Sequence, residues 1–359
     1  MKVAIAGAGI MGRMLAWHLS VSGHKVSLFD REGFGTDSSA AANTAAGMLT
    51  PYAELESAEP LIFELGMQSL QHWPEIVAAL GIEDAYFQKG SLVVAHASDR
   101  ADYQRFSSHL QSKLSSDQLA NCEIDRTQLR QLEPELSDSF QQAMYFSEES
   151  WLRTSEVMEA LLNAAITHGC ETHPNTPVLE ISPNQLRTER DTETFDLVID
   201  SRGLGAKEQM PELRGVRGEL IWLEAPEVKI QRLVRLMHPR YGLYVVPQHR
   251  DNHYIVGATQ IESDDAGPIT LRSAMELLSA AYSLHAGFSE ARILQTKTNC
   301  RPALADNLPQ IEVQDGLIRV NGLFRHGYLL APVLAAEVMQ NINQSNHKTA
   351  FGQLVQKAS

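Results

Sequence analysis

The spacing of apolar and polar residues changes twice within the first thirty positions, and each change marks an element. Lys2 to Ala6 is an apolar run typical of a buried strand, and Ile10 to Ser20 carries apolar residues at helical spacing. Lys25 to Phe29 is a second apolar run and ends at Asp30. This close succession predicts a βαβ unit, which requires a parallel sheet.

The same criteria predict two further groups of elements. The first group resembles the opening unit and comprises helices over residues 57–80 and 154–168, a buried strand over 195–200 before a Gly-rich turn, a strand over 317–321, and a helix from Gly327 to about residue 340. The second comprises an insertion with elements at 91–95, 99–114, 127–132 and 143–146, then closely spaced strands at 216–223, 232–238, 242–247 and 253–259 with a helix at 271–283.

Two domains follow from this order, because 359 residues are more than twice the usual domain size of about 150. We expect an α/β fold with a Rossmann-type domain assembled from the discontinuous segments 1–80, 150–215 and 300–359. The segments 81–149 and 216–299 are expected to form a second, α+β domain built on an antiparallel sheet.

Composition narrows the classes of partner. The net charge of −14 would repel nucleic acid, and no apolar stretch approaches the roughly 18 residues needed to span a bilayer. The three cysteines, Cys122, Cys170 and Cys300, suggest neither a disulfide framework nor a CxxC site. A reducing cytoplasm fits this use of cysteine best, and we expect a cytoplasmic protein. None of the 13 histidines belongs to a metal-binding motif, so we expect no metal.

A dinucleotide fingerprint stands directly after the first strand. Gly7, Gly9 and Gly12 form GxGxxG at the start of the first helix, and Asp30 ends the second strand. Gly7 suits a tight turn, Gly9 close approach of a pyrophosphate, and Gly12 packing of helix on strand. Asp30 is expected to accept hydrogen bonds from the adenosine ribose. The fingerprint alone leaves NAD and FAD open.

Two further segments favour FAD. Small residues at Ala45 to Leu49 would let the chain lie against an extended flavin dinucleotide, although helix packing would explain them equally well. Gly322 to Pro332 precedes the last helix, whose free N–H groups would stabilise negative charge on a reduced flavin. The second segment could equally be a plain loop before a core helix, with no contact to a flavin.

These motifs together resemble those of the D-amino-acid oxidase superfamily of flavoproteins and, within it, the glycine oxidases of thiamine biosynthesis. The resemblance spans nearly the whole chain. It is carried by GAGIMG at the amino end, AAGML at 45–49, HPRYGLYVVP at 238–247, VGAT at 256–259, CRPA at 300–303 and the segment from Gly327 to Pro332. Any one motif is weak, but their order and spacing together are specific.

The resemblance implies a non-covalent FAD and a small amino-acid substrate. The implied cofactor residues, together with the fingerprint, are Gly7, Gly9, Ile10, Met11, Gly12, Asp30, Ala46, Gly47, Met48, Val178, Leu323, Phe324, Arg325, His326, Gly327, Tyr328 and Leu329. Arg301 is implied to grip the substrate carboxylate, with Tyr244 beside it. A surface ion pair for Arg301 and a core position for Tyr244 remain open. Gln260 and His326 depart from the family pattern, so both leave the size and polarity of the substrate open.

The family chemistry is transfer of a hydride from Cα to flavin N5, followed by reoxidation with oxygen to give peroxide. The resulting imine would hydrolyse or enter thiazole assembly. Gln260 and Tyr241 also permit a dehydrogenase or oxidase of a secondary or D-amino acid such as sarcosine, D-proline or D-alanine. A flavin-dependent tRNA-modifying or regulatory protein is a third hypothesis, which the charge disfavours. The resemblance also leaves room for a homo-oligomer.

Overall fold

The computed structural model describes residues 1–136, 138–238, 242–248, 250, 252–343 and 354–357. Within them the α-helices are α1 (Ile10–Val21), α2 (Pro51–Glu54), α3 (Pro60–Leu80), α4 (Arg100–Lys113), α5 (Arg126–Leu132), α6 (Thr154–Thr167), α7 (Leu271–Leu284) and α8 (Gly327–Asn343). The strands are β1 (Lys2–Ala6), β2 (Lys25–Phe29), β3 (Met48–Leu49), β4 (Tyr86–Phe87), β5 (Ser91–Ala95), β6 (Glu123–Asp125), β7 (Gln142–Phe146), β8 (Ser150–Leu152), β9 (Glu171–His173), β10 (Val178–Ser182), β11 (Gln185–Thr188), β12 (Thr192–Thr194), β13 (Leu197–Asp200), β14 (Arg214–Glu224), β15 (Leu233–Met237), β16 (Leu243–Pro247), β17 (His253–Gly257), β18 (Ile261–Glu262), β19 (Arg292–Ala303), β20 (Gln310–Gln314), β21 (Leu317–Asn321) and β22 (Val355–Lys357).

The first large sheet has the order β22-β20-β21-β13-β1-β2-β9 and confirms the predicted parallel βαβ unit. β1 pairs in parallel with β2 on one side and β13 on the other, and β13 pairs in parallel with β21. Because β13 and β21 lie far along the chain, the sheet is assembled from distant segments, as the sequence predicts. Helix α1 packs against α6 and α8, and their apolar faces form the largest buried cluster with the sheet.

The second large sheet has the order β18-β14-β17-β16-β15-β5-β7-β6, with β19 paired to β14 as well. Its pairings are antiparallel except for β5 with β15, which is parallel, so the sheet is mixed where an antiparallel one was expected. The parallel pair arises because β5 belongs to the insertion, and the long chain between β5 and β15 permits a crossover connection. β19 continues to Ala303, past the domain boundary expected at residue 300.

Two small sheets, β3-β8-β4 and β10-β11-β12, were not predicted. The first consists of strands of two or three residues, too short to show a period in the sequence. The second is rich in exposed polar residues and turns at Asn184, whose φ of 61° lies in the left-handed region. No helix among the described residues has the length and apolarity needed to cross a bilayer.

Candidate active site

A cavity of about 1190 Å³ is lined by residues of both large sheets. It extends from the glycine turn between β1 and α1 to the inner face of the second sheet, and the segment before α8 also lines it. Every residue that the sequence and the resemblance assign to cofactor or substrate lines this cavity, apart from Gly12. Residues assigned from eight separate stretches of sequence are therefore brought together in one place.

The three glycines of the fingerprint differ in whether the protein itself leaves room for a side chain. A Cβ on Gly7, where φ is 97°, would stand 2.6 Å from the Ser201 carbonyl oxygen, and one on Gly12 would collide with the Gly7 carbonyl. Both positions thus exclude side chains because of protein packing. A Cβ on Gly9 would meet no protein atom within 4 Å, and Gly9 lines the cavity. The open space at Gly9 is therefore available to a ligand.

Asp30 is held at the same end of the cavity. Its Oδ2 accepts a hydrogen bond of 2.6 Å from the Ala8 N–H, and its Oδ1 accepts one of 3.0 Å from the Glu32 N–H. These bonds fix the carboxylate beside the turn. Each carboxylate oxygen has a second lone pair, so Asp30 can still accept from ribose hydroxyls.

Arg13, which the sequence analysis did not single out, stabilises the glycine turn through side-chain hydrogen bonds. Its guanidinium donates 2.8 Å hydrogen bonds to the carbonyl oxygens of Ala8, Met158 and Phe34. Burial lowers the pKa of this guanidinium, while nearby Tyr328 and Asp30 raise it. The only feature of the sequence that could have indicated this role is that Arg13 is a charged residue within the apolar pattern of α1.

The middle of the cavity is lined by Ala46, Gly47, Met48 and Val178, with Leu323 to Leu329 nearby in the lining. Gly47 has a φ of 76°, and a Cβ there would collide with the Leu152 carbonyl. The Tyr328 hydroxyl donates a 3.1 Å hydrogen bond to the Ala42 carbonyl, which connects the first turn of α8 to the chain after β2. His326 is buried, and its Nδ1 has no hydrogen-bond partner within the described residues. This atom is therefore open to a hydrogen bond from a bound group or a water molecule.

The far end of the cavity is a face of the second sheet. Arg235 pairs with Tyr244 across β15 and β16, and Tyr244 pairs with Gly257 across β16 and β17. Gly257 in turn pairs with Leu220 of β14. Side chains opposite one another in a ladder share a face, so this row projects into the cavity together. We call the region lined by Arg235, Tyr244, Gln260, Arg301 and Arg325 the polar end.

Arg301 supplies a guanidinium without a carboxylate partner. Its Nη1 donates a 3.2 Å hydrogen bond to the Thr259 carbonyl, and no ion pair to Arg301 occurs in the described part of the chain. The surface ion pair considered for this residue is therefore absent there. Burial lowers the pKa of Arg301, and Tyr244 raises it. The remaining N–H donors of the fork are free to bind a carboxylate.

Tyr244 places a neutral hydroxyl at the polar end. A Cβ on Gly257 would lie 2.7 Å from that hydroxyl oxygen, so only glycine leaves room for the Tyr244 side chain. Burial raises the pKa of Tyr244, while Arg301 and Arg325 lower it and Glu54 raises it. The hydroxyl therefore stays protonated at neutral pH and can donate a hydrogen bond.

Glu54, which the sequence analysis missed, joins Arg325 to His326. Its Oε2 accepts hydrogen bonds from Arg325 Nε and from His326 Nε2, the latter at 2.8 Å. Burial would raise the pKa of Glu54, but the charge of Arg325 and the contact with His326 outweigh it and hold the pKa well below its usual range. Arg325 also donates a 3.2 Å hydrogen bond to the Gln260 side chain. The predicted residues Arg325 and Gln260 are thus linked to each other.

Arg235 and Glu56 form a second ion pair that the sequence did not reveal. Arg235 Nη2 donates to the Glu56 carboxylate, and Nη1 donates a 2.6 Å hydrogen bond to the Ala53 carbonyl. Both side chains line the cavity. No group of metal ligands occurs among the described residues, and Tyr241, considered above for substrate choice, lies outside them.

The chain belongs to the DAO family of FAD dependent oxidoreductases, because the model of that family matches residues 2–340. It is 39% identical to the thiamine biosynthesis oxidoreductase ThiO of Rhizobium etli over 95% of this chain and 96% of that protein. It is 27% identical to the glycine oxidase of Geobacillus kaustophilus, over 97% of this chain and 94% of that protein. The crystal structure of the latter superposes with a TM-score of 0.84 at 24% identity, covering 99% of this chain and 98% of that one.

The residues present fit FAD. The open space at Gly9, the uncapped amino end of α1 and the Asp30 carboxylate suit a dinucleotide. His326, whose Nδ1 has no partner among the described residues, and the amino end of α8 both line the cavity, in the segment expected to contact the flavin ring. The enzyme is therefore an FAD-dependent oxidoreductase, and its fold is the one seen in the glycine oxidase structure.

Proposed function

We propose that the enzyme oxidises the CH–NH₂ group of glycine or another small amino acid. The observation that carries this proposal is the Arg301 guanidinium, which faces the FAD cavity without a carboxylate partner and has Tyr244 close by. The names of the relatives support it, since one is a glycine oxidase and another is the thiamine biosynthesis oxidoreductase ThiO.

Three residues at the polar end contact the substrate in this proposal. Arg301 grips the substrate carboxylate with two charge-assisted hydrogen bonds, and Tyr244 adds a third from its hydroxyl. Gln260 faces the substrate side chain while it accepts from Arg325. These contacts fix Cα and restrict its motion, which is the main contribution that the protein makes to the rate.

Bound FAD supplies the chemistry of the reaction, acceptance of a hydride from Cα and delivery of two electrons to oxygen as peroxide. The substrate ammonium must first lose a proton. None of the described residues at the polar end is a free base, because Glu54 and Glu56 are paired with Arg325 and Arg235, the arginines are cations, and Tyr244 is a neutral phenol. Water at the cavity entrance receives this proton in our proposal.

The product imine would supply the thiazole of thiamine, as the name of the Rhizobium relative suggests. We place the enzyme in the cytoplasm, because its three cysteines are all free and buried. A homo-oligomer stays a prediction. A secondary or D-amino acid as the main substrate is the second candidate, and Gln260, polar and exposed, is the feature that permits it.

Anaerobic mixing tests the proposal. The purified holoenzyme is mixed in turn with glycine, sarcosine, D-alanine and D-proline, and the flavin absorbance band is followed before oxygen is readmitted. We expect glycine to bleach the band and oxygen to restore it with release of peroxide. Bleaching only by D-proline or sarcosine would establish the second candidate, and no bleaching by any amino acid would refute the proposed function.

A further inference from the structure

The polar end contains more charged groups than recognition of one carboxylate requires. Three guanidinium groups, Arg235, Arg301 and Arg325, line it together with two carboxylates, Glu54 and Glu56. Glu54 is paired with Arg325, and Glu56 is paired with Arg235. Arg301 alone has no acidic partner within the described residues.

This pairing leaves the polar end with one uncompensated positive charge. A single substrate carboxylate on Arg301 brings the local balance to neutrality. A second carboxylate would make it negative, and a charge buried without a partner is strongly unfavourable. Both pairs are partly shielded from solvent, which makes the balance matter: the Arg235 and Glu56 side chains are 14% and 31% exposed, and those of Arg325 and Glu54 are 24% and 10% exposed.

We propose that Glu56 acts as a specificity-determining residue that occupies Arg235 and so restricts the enzyme to amino acids with a single carboxylate. This inference rests on the proposed function, since it concerns the substrate of the same site. Arg235 lies directly opposite Tyr244 in the strand ladder, so a second carboxylate on the substrate could otherwise reach it. In the structure both terminal nitrogens of Arg235 are already engaged, Nη2 by Glu56 and Nη1 by the Ala53 carbonyl.

The position of Glu56 supports a role beyond holding the chain together. The segment from Tyr52 to Ala53 is already anchored by Glu149, which accepts hydrogen bonds from both N–H groups at 2.8 and 3.1 Å. Arg235 also contacts the Ala53 carbonyl independently of Glu56. The backbone therefore keeps these anchors when the Glu56 charge is removed.

The test compares Glu56→Gln with the wild type on matched substrates. Sarcosine and iminodiacetate are both secondary amines, and they differ by the second carboxylate. We expect Glu56→Gln to raise the ratio of kcat/KM for iminodiacetate to that for sarcosine by at least about tenfold, because the freed Arg235 pairs with the new carboxylate. The control Glu59→Gln removes the same charge three residues away, outside the cavity lining, and should leave the ratio unchanged.

A binding measurement separates this inference from the proposed function. Thiodiacetate and (methylthio)acetate mimic the two substrates but carry no amine, and their Kd values follow from difference absorbance titrations of the flavin. The Kd ratio should shift in Glu56→Gln in favour of thiodiacetate by a similar factor, whether or not any amine is oxidised. The double variant Glu56→Gln/Arg235→Leu should return both ratios to about the wild-type value.

The flavin spectrum and melting temperature of each variant report whether it has folded with cofactor. If the folded Glu56→Gln enzyme keeps the wild-type ratios, or if the double variant keeps the gain, Arg235 and Glu56 form a structural pair only and the inference is wrong. Should Glu56→Gln not fold, the wild type still decides, since equal affinity for thiodiacetate and (methylthio)acetate would overturn it. If wild type oxidises no amino acid but the Kd ratio shifts as expected, the proposed function fails and the charge selectivity stands.

Discussion

The guanidinium of Arg301 fills the space that a side chain on Gly218 would need. The two residues lie on paired strands, β19 and β14, where Arg301 is opposite Val216 and Gly218 is opposite Asn299. The missing side chain at Gly218 therefore leaves the room in which the Arg301 guanidinium lies. The interaction explains a glycine inside a buried strand, a position that otherwise weakens a sheet.

Replacement of Arg301 by alanine should weaken substrate binding far more than FAD binding. Loss of a charge-assisted bidentate contact costs on the order of 2 to 4 kcal/mol, so the apparent KM for glycine should rise about 30- to 900-fold. Steady-state kinetics and the ratio of flavin to protein absorbance measure the two effects. Arg301→Lys keeps the charge but not the two parallel N–H donors, so its KM for glycine should lie between those of the wild type and Arg301→Ala. An unchanged KM in Arg301→Ala would remove this residue from the site.

Gly218→Ala should imitate a mild loss of Arg301. The new Cβ would displace the guanidinium, and we expect the KM for glycine to rise by about tenfold while FAD content stays normal. The double variant Gly218→Ala/Arg301→Ala should be no worse than Arg301→Ala alone, because both changes act through the same contact. Additive losses in the double variant would mean that Gly218 acts through packing of the sheet instead.

Gly9→Val should lower FAD content without loss of fold. Because no protein atom lies within 4 Å of a Cβ at this position, any effect must come from the ligand that approaches it. The matched control is Gly33→Val, since Gly33 is equally free of protein contacts but does not line the cavity. Flavin absorbance per protein and the melting temperature check the result. Full FAD occupancy in Gly9→Val would contradict the assignment of the turn.

The sequence predicted the elements well where a single period extends over many residues. Helices α1, α3, α6, α7 and α8 and strands β14 to β17 were all expected within a few residues of their observed bounds. Short strands such as β3 and β8 could not be predicted, because two or three residues contain no period. The parallel pairing of β5 with β15 depends on tertiary packing and leaves no local trace.

The cavity residues could be predicted only where a motif or the family resemblance marked them. Glu54, Glu56 and Arg235 carry no motif. The pairing of Glu56 with Arg235 and of Glu54 with Arg325 arises from the register of β15 against β16 and from the position of α2. A register is set by long-range packing, so single-sequence patterns do not reveal which arginine meets which glutamate. The charge balance at the polar end therefore emerged only from the structure.

Glu149 should make stability depend on pH. Burial raises its pKa to about 8, although hydrogen bonds from Ser91, Ala53 and Tyr52 lower it. The folded chain thus holds a proton there between about pH 4.5 and 8 that the unfolded chain has released, so the free energy of unfolding falls as pH rises through that window.

Glu149→Gln cannot ionise and keeps an acceptor for the Tyr52 and Ala53 N–H groups, so that fall should disappear. We expect the melting temperature of the wild type to drop relative to Glu149→Gln by at least a few degrees from pH 5 to pH 8.5. The exposed neighbour Glu148 gives the control variant, Glu148→Gln. Parallel pH profiles for wild type and Glu149→Gln would show that Glu149 is already ionised at pH 5.

The rate of substrate oxidation should rise with pH, and Tyr244 should not be the cause. A hydride can leave Cα only when the adjacent nitrogen has a free lone pair, whereas free glycine carries an ammonium group at neutral pH. Arg301 stays charged throughout, and burial raises the pKa of Tyr244 above its ordinary value, so neither group titrates on the way to alkaline pH. The amine itself then remains as the group that loses a proton.

Tyr244→Phe separates these roles because it removes the hydroxyl and preserves the aromatic ring on the sheet. We expect a severalfold higher Kd for glycine from the lost hydrogen bond, which is worth about 1 kcal/mol, and the same alkaline-rising limb of flavin reduction as in the wild type. Stopped-flow reduction under anaerobic conditions, recorded from pH 6 to pH 10 at several glycine concentrations, yields both quantities. A limb that vanishes in Tyr244→Phe would place the hydroxyl on the proton-transfer route. Proton loss directly to water at the cavity entrance would then be wrong for this enzyme.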